Sequence, residues 1–215
     1  MASADFGILG GFRGGIGNVV GFRYRRRYLM RSIPLRRSKR KKLKALPQHL
    51  NLGRMSQFIR DAKELIAIGF KANNPKLDPR SMAMKYNMKN ALVKTENGPL
   101  INYAKIKLSR GSRERAWSEE MIFTEGNKVT VNWDIPAMLD LKLIGYDKVY
   151  IVLYNEINQS MMYAKQHISR SDLTYTGTVS AEYIGKPIHG WIFFVSADGK
   201  EVSDSDYLGT GMVLA

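Results

Sequence analysis

Cysteine is absent from the 215 residues, which excludes a disulfide framework, a thiolate metal site and a cysteine nucleophile. Its absence suits a reducing compartment without establishing one. Histidine occurs only at positions 49, 167 and 189, too far apart for HxxxH spacing and without a carboxylate partner in sequence. Each is expected to be a surface or turn residue, and no metal, cofactor or catalytic residue is expected. No run approaches the eighteen or so apolar residues that cross a bilayer, so no membrane span is expected. The apolar stretch from Phe6 to Val20 follows Asp5, lacks a basic flank and is broken repeatedly by glycine, which argues against a secretory signal peptide. The expected setting is the cytoplasm or the interior of an assembled particle.

Acid is the other scarcity, and it is local. Over residues 1–60, fifteen basic side chains face a single acid, Asp5, a balance of +14, whereas the remaining 155 residues hold 19 basic and 18 acidic side chains. The pI near 10.0 therefore describes one end of the chain. A near-neutral body and a cationic arm have separate tasks: the body folds and the arm meets an anion. The candidate nucleic-acid-binding residues are Arg23, Tyr24, Arg25, Arg26, Arg27, Tyr28, Arg31, Arg36, Arg37, Lys39, Arg40, Lys41, Lys42 and Lys44. Clustered cations neutralise phosphates and release counterions, and aromatic rings set among arginines can stack on bases. Arginine predominates from 23 to 37, which favours bidentate phosphate contacts. A solvated face or a dock for an acidic protein surface is the plainer alternative. A membrane surface fits less well, because no clean amphipathic helical face is present.

Residues 6–21, FGILGGFRGGIGNVVG, carry seven glycines with six large apolar side chains between them. Glycine at that density disfavours an isolated helix or strand, so the segment is expected to order by docking on a neighbouring chain, giving a homo-oligomer. The pattern is not a phosphate loop, since no Gly-Lys pair completes one, and Gly15, Gly17 and Gly21 miss the dinucleotide spacing by one residue. Residues 22–33 suggest a hairpin or extended pair.

From Pro47 to Ile68, Met55, Ile59, Ala62, Ile66 and Gly69 form one apolar stripe, predicting a helix with Pro47 in its first turn and Gly69 as its cap. Asp78-Pro79 predicts an N-cap and first turn of a second helix running to about Val93. Residues 100–108 alternate as a strand. Seven further strand candidates follow, at 121–123, 128–133, 147–154, 160–165, 173–180, 190–196 and 206–213, separated by turn signals.

The fold class predicted is α+β: a glycine-rich basic arm (1–46), a helical segment with a first strand (47–112), and an antiparallel β-sandwich of immunoglobulin or fibronectin type (113–215), with Trp133 in its core and able to fold alone. Asp198, Asp204 and Asp206 lack EF-hand spacing, and Asp198-Gly199 fits a hairpin turn better.

GILGGFRGGIGNVVG at the start, IGF at 68–70, MKYNMKNAL at 84–92 and FVSADGKEVSDSDYLG near the end resemble an uncharacterised family of Bacteroidota proteins known only as a domain of unknown function. The resemblance spans almost the whole chain and implies no activity. The function expected is therefore that of a non-enzymatic structural protein whose arm contacts nucleic acid or another polyanion. The alternative is a self-assembling capsid, tail or filament subunit whose arm docks into its neighbours.

Overall fold

Strands form where glycine was expected to forbid them. The structure is a computed structural model that describes residues 3–4, 10–24, 27–33, 46–71, 78–95, 98–139, 141–164 and 168–214. It divides into two compact units, residues 1–44 and 45–215. In the first, β1 (Ser3–Ala4), β2 (Phe12–Ile16), β3 (Val19–Tyr24) and β4 (Arg27–Ser32) make one antiparallel sheet in that order. The turn between β2 and β3 uses Gly17, whose φ of +57° suits glycine.

The second unit opens with α1 (Leu46–Asp61) and α2 (Lys63–Gly69), which join at Ala62 in place of a single helix. The i→i−4 bonds continue across the joint, from Ala62 N to Phe58 O and from Ile66 N to Ala62 O. The stripe therefore stays in phase, and Met55, Ile59, Ala62, Ile66 and Gly69 are all buried. Gly69 does not act as a left-handed cap. It is the last helical residue, and a Cβ there would collide with the carbonyl of Leu108. Helix α3 (Pro79–Asn90) begins as the sequence indicates: Asp78 accepts a 3.0 Å bond from Ser81 N, and Pro79 fills the first turn. It stops at Asn90, before a small hairpin of β5 (Leu92–Thr95) and β6 (Gly98–Ile101).

Of residues 100–108, read as a strand from their alternation, only Leu100 and Ile101 lie in one. After β6 the chain makes a 3₁₀ turn at Tyr103–Lys105 and runs on without a ladder. Ile106 and Leu108 are still buried, but side chains hold the backbone in place. Asn87 donates to Lys107 O and accepts from Lys107 N, both at 2.9 Å, and Ser205 Oγ accepts from Leu108 N at 2.9 Å.

All seven later strand candidates are present: β7 (Trp117–Thr124), β8 (Lys128–Asp134), β9 (Lys148–Asn155), β10 (Ser160–Tyr163), β11 (Thr174–Thr178), β12 (Pro187–Val195) and β13 (Asp206–Met212). A one-turn helix, α4 (Leu141–Ile144), precedes β9. Two antiparallel sheets result, β10-β9-β12-β13 and β11-β8-β7. Val131 and Trp133 of β8 share a core with Val149 and Ile151 of β9 and with Ile192 and Phe194 of β12, so side chains of both sheets meet between them. The Trp133 indole donates to Arg170 O at 2.8 Å.

The opposite face of the larger sheet is buried as well. Trp191, Phe193 and Val195 of β12, with Val152 and Tyr154 of β9, pack on Phe58, Ile59, Ile66 and Ala83 of the helices. The helical segment and the sheets therefore share a core, and the boundary expected at residue 112 runs through it. Charge closes one end of the unit. Arg113 grips the buried Asp147 at 2.8 and 3.0 Å, and the fully buried Arg170 lies 3.6 Å from the same carboxylate with its guanidinium 4.2 Å from the Phe194 ring centre.

One cooperative transition is expected from this shared core. Phe58→Ala should cost about 3–5 kcal/mol, and helix loss by far-UV circular dichroism should coincide with tryptophan emission during denaturation. Separate transitions for helix and tryptophan would show that the layers are independent.

Candidate nucleic-acid interface

Of the fourteen candidate residues, Arg23, Tyr24, Arg27, Tyr28 and Arg31 come together on the β3–β4 hairpin. Arg25, Arg26, Arg36, Arg37, Lys39, Arg40, Lys41, Lys42 and Lys44 lie outside the described residues. Register decides which side chains share a face. Val20 pairs with Arg31, Phe22 with Leu29 and Tyr24 with Arg27, while Gly21 pairs with Met30 and Arg23 with Tyr28. Because paired residues project to the same side, each face carries both arginine and aromatic side chains. On one face the Arg31 guanidinium lies 5.4 Å from the Phe22 ring centre; on the other, Arg23 lies 5.8 Å from that of Tyr28. Such contacts are worth about 0.5–1 kcal/mol at exposed sites and hold the charge over a ring.

Glycine makes room for the rings. A Cβ on Gly11 would run into the ring of Tyr28, and one on Gly21 would lie 2.6 Å from the ring of Phe12. Aromatic side chains laid across strand glycines restore the packing that those glycines lack. The sheet nonetheless stays open to solvent: Met30 is 70% exposed, Ile16 56% and Tyr24 55%.

A second polar site, missed by the sequence reading, lies in the body. His189 is no surface residue. It stacks on Tyr103 with ring centres 4.2 Å apart, and its Nδ1 shares a 2.7 Å hydrogen bond with the Tyr207 hydroxyl. His49 and His167 have no described side chain. A cavity of about 320 Å³ next to this stack is lined by Arg54, Gln57, Tyr103, Tyr154 and Glu156 among others. Burial raises the phenol pKa of Tyr103 and of Tyr154, so both remain protonated hydrogen-bonding groups. The signal in sequence was His189 two residues before Trp191, next to the apolar run of β12.

Asp198, read as part of a turn, and Asp204 and Asp206 have separate tasks. Asp198 accepts from Ser196 Oγ and Lys200 N, which hold its carboxyl at about 2. Asp204 accepts from Gly111 N, and Asp206 faces Lys107 and Arg115. Among the described residues no group of three or more His, Cys, Asp or Glu is placed to hold a metal, and no helix is long and apolar enough to cross a membrane.

These elements define an α+β protein with mostly antiparallel sheets and a separate basic, aromatic N-terminal sheet. The chain belongs to DUF6266, a family of unknown function, whose profile matches residues 11–209. No curated protein matches it. Among solved structures, it is similar to the fn3 domain of human collagen alpha-1(XX) chain, with a TM-score of 0.37 and 11% identity over 50% of this chain and 92% of that one. A likeness that shallow carries no argument about fold or function.

Two measurements probe these sites. Gly11→Ala, which sets a methyl against the Tyr28 ring, should speed amide exchange across residues 12–32 and leave β9 and β12 unchanged; unaltered exchange would contradict the packing. The second concerns His189. Burial lowers its pKa, although Glu156 at 3.9 Å acts the other way. The unfolded chain therefore binds more protons between the depressed value and about 6.5, so stability is complete above that range and falls as pH drops through it. His189→Gln should flatten the pH dependence of the denaturation midpoint below about pH 6.5; an unchanged slope would contradict the burial.

Proposed function

We propose that the N-terminal unit is a polyanion-binding element with nucleic acid as its partner, joined to a non-enzymatic body that acts in the cytoplasm or within an assembled particle. The observation that carries this reading is the β3–β4 sheet with arginine set over aromatic rings on both faces. It is followed in sequence by the acid-free run from Arg36 to Lys44. Guanidinium groups so held can meet phosphates while the rings offer stacking surface to unpaired bases. We further assign residues 117–212 to an immunoglobulin- or fibronectin-like sandwich, from the three-stranded and four-stranded sheets that share a core.

A second reading has its own support. Ile16, Leu29, Met30 and Ile33 are exposed on or beside the same sheet, and apolar side chains in that number suit a neighbouring subunit. In that case the arm joins copies of the chain into an oligomer. Copurifying nucleic acid, seen in the absorbance ratio, favours the first reading. Light scattering that shows a concentration-dependent oligomer free of nucleic acid favours the second.

If six to eight phosphates are engaged, log affinity for an oligonucleotide should fall with log salt at a slope of roughly −5 to −7. Replacing Arg23, Arg27 and Arg31 together by glutamine should weaken binding and make the slope shallower by about 3. Fluorescence anisotropy reads both quantities. Salt-independent binding, or an unchanged slope in the triple variant, would sink the assignment.

A further inference from the structure

The body is nearly neutral as a whole, yet the charged side chains described around one of its pockets are all cationic. A cavity of about 580 Å³ lies between α3 and the segment after β6, lined by Phe70, Met82, Lys85, Tyr86, Lys89 and Arg110 among others, with no carboxylate among the described residues that line it. Met82, Lys85, Tyr86 and Lys89 fall at i, i+3, i+4 and i+7, so they share one face of α3. Lys85 and Lys89 stand one turn apart as a like-charged pair, an arrangement unfavourable to a helix. Among the described residues neither forms an ion pair. The third cation is fixed over an aromatic ring, since the Arg110 guanidinium lies 4.5 Å from the centre of Tyr86.

The two walls are locked together. Asn87, fully buried on the inner face of α3, clamps Lys107 through both amide atoms at 2.9 Å. Three residues on, Arg110 N donates to Gly69 O at 3.0 Å, and the missing Cβ of Gly69 lets Leu108 approach the end of α2. The backbone that carries Arg110 is thus held against both α2 and α3 before any ligand arrives. Preorganised cations lose little on binding, and a site of this volume accommodates a small organic molecule with room beyond a bare anion.

We propose that this pocket binds an organic phosphomonoester, with its phosphate among Lys85, Lys89 and Arg110 and its apolar or planar body against Phe70, Met82 and Tyr86. Arginine supplies a planar fork and the lysines supply point charges, the combination that suits a phosphate dianion. Two sources carry this chemistry: a free nucleotide-like metabolite and the phosphorylated end of a strand. The inference does not depend on the arm.

The test is calorimetric titration of the full chain with adenosine 5′-monophosphate. Saturable binding is expected, with weaker binding of adenosine and of inorganic phosphate. Affinity should drop at least tenfold in Lys85→Gln/Lys89→Gln and in Arg110→Gln, both exposed substitutions that leave the cores intact. Arg23→Gln/Arg31→Gln in the arm should leave it unchanged, so failure here and failure of the arm reading are told apart. Preference for a 5′-phosphorylated over a 5′-hydroxyl oligonucleotide identifies a strand end as the source, and equal binding of the two identifies a free ligand. No saturable binding, equal affinity for adenosine and its phosphate, or full affinity in the lysine double variant would overturn the proposal.

Discussion

Strand β12 has to be covered on both faces, and the rest of the body follows from that requirement. Its run Trp191-Ile192-Phe193-Phe194-Val195 leaves no polar side for water. Trp191, Phe193 and Val195 point to one core and Ile192 and Phe194 to another. Fully burying side chains of this size contributes about 1.5–3 kcal/mol each, so neither a lone sheet nor a simple pair of sheets suffices. The three-stranded sheet covers one face and the helices cover the other. The helical layer is thus part of the sheets' own core. The same demand draws residues 106–111 into the body, where Asn87 and Ser205 supply the hydrogen bonds that a strand partner would otherwise give.

The N-terminal sheet is built on the opposite terms. Its four strands pair in one antiparallel sheet, yet its side chains remain open and cationic. Glycine at 11 and 21 lets Tyr28 and Phe12 lie flat across the strands, which gives the sheet an internal order that composition alone argues against. What remains exposed is a mixture of guanidinium, aromatic and aliphatic groups, on which the proposed partner binding rests. In the proposed function, a body that completes its own core and an arm whose surface stays open divide the labour between folding and binding.

Much of this was legible residue by residue. Asp78-Pro79 gave its helix start because capping chemistry is local, and the stripe from Met55 to Gly69 gave a buried face because periodicity survives the joint at Ala62. The seven later strands could be read because turns and alternation bracket each one. The third layer was harder to see, although the unbroken apolar run of β12 signalled two buried faces. Gly69 resembled a cap, but its role is set by Leu108, distant in sequence. The alternation over 100–108 predicted a strand, and pairing extends only to Ile101, because alternation reports which side is covered and not by what. The His189–Tyr103 stack, the Arg113–Asp147–Arg170 cluster and the Arg110–Tyr86 contact join residues far apart in the chain or lacking any motif, so no local pattern announces them.

The division of labour itself can be measured by hydrogen–deuterium exchange of the full chain with and without an unphosphorylated single-stranded oligonucleotide. Partner binding at the N-terminal sheet predicts slower exchange across residues 12–32 and unchanged exchange in β9 and β12. Protection confined to the body, with the N-terminal sheet unaffected by the oligonucleotide, would contradict the account.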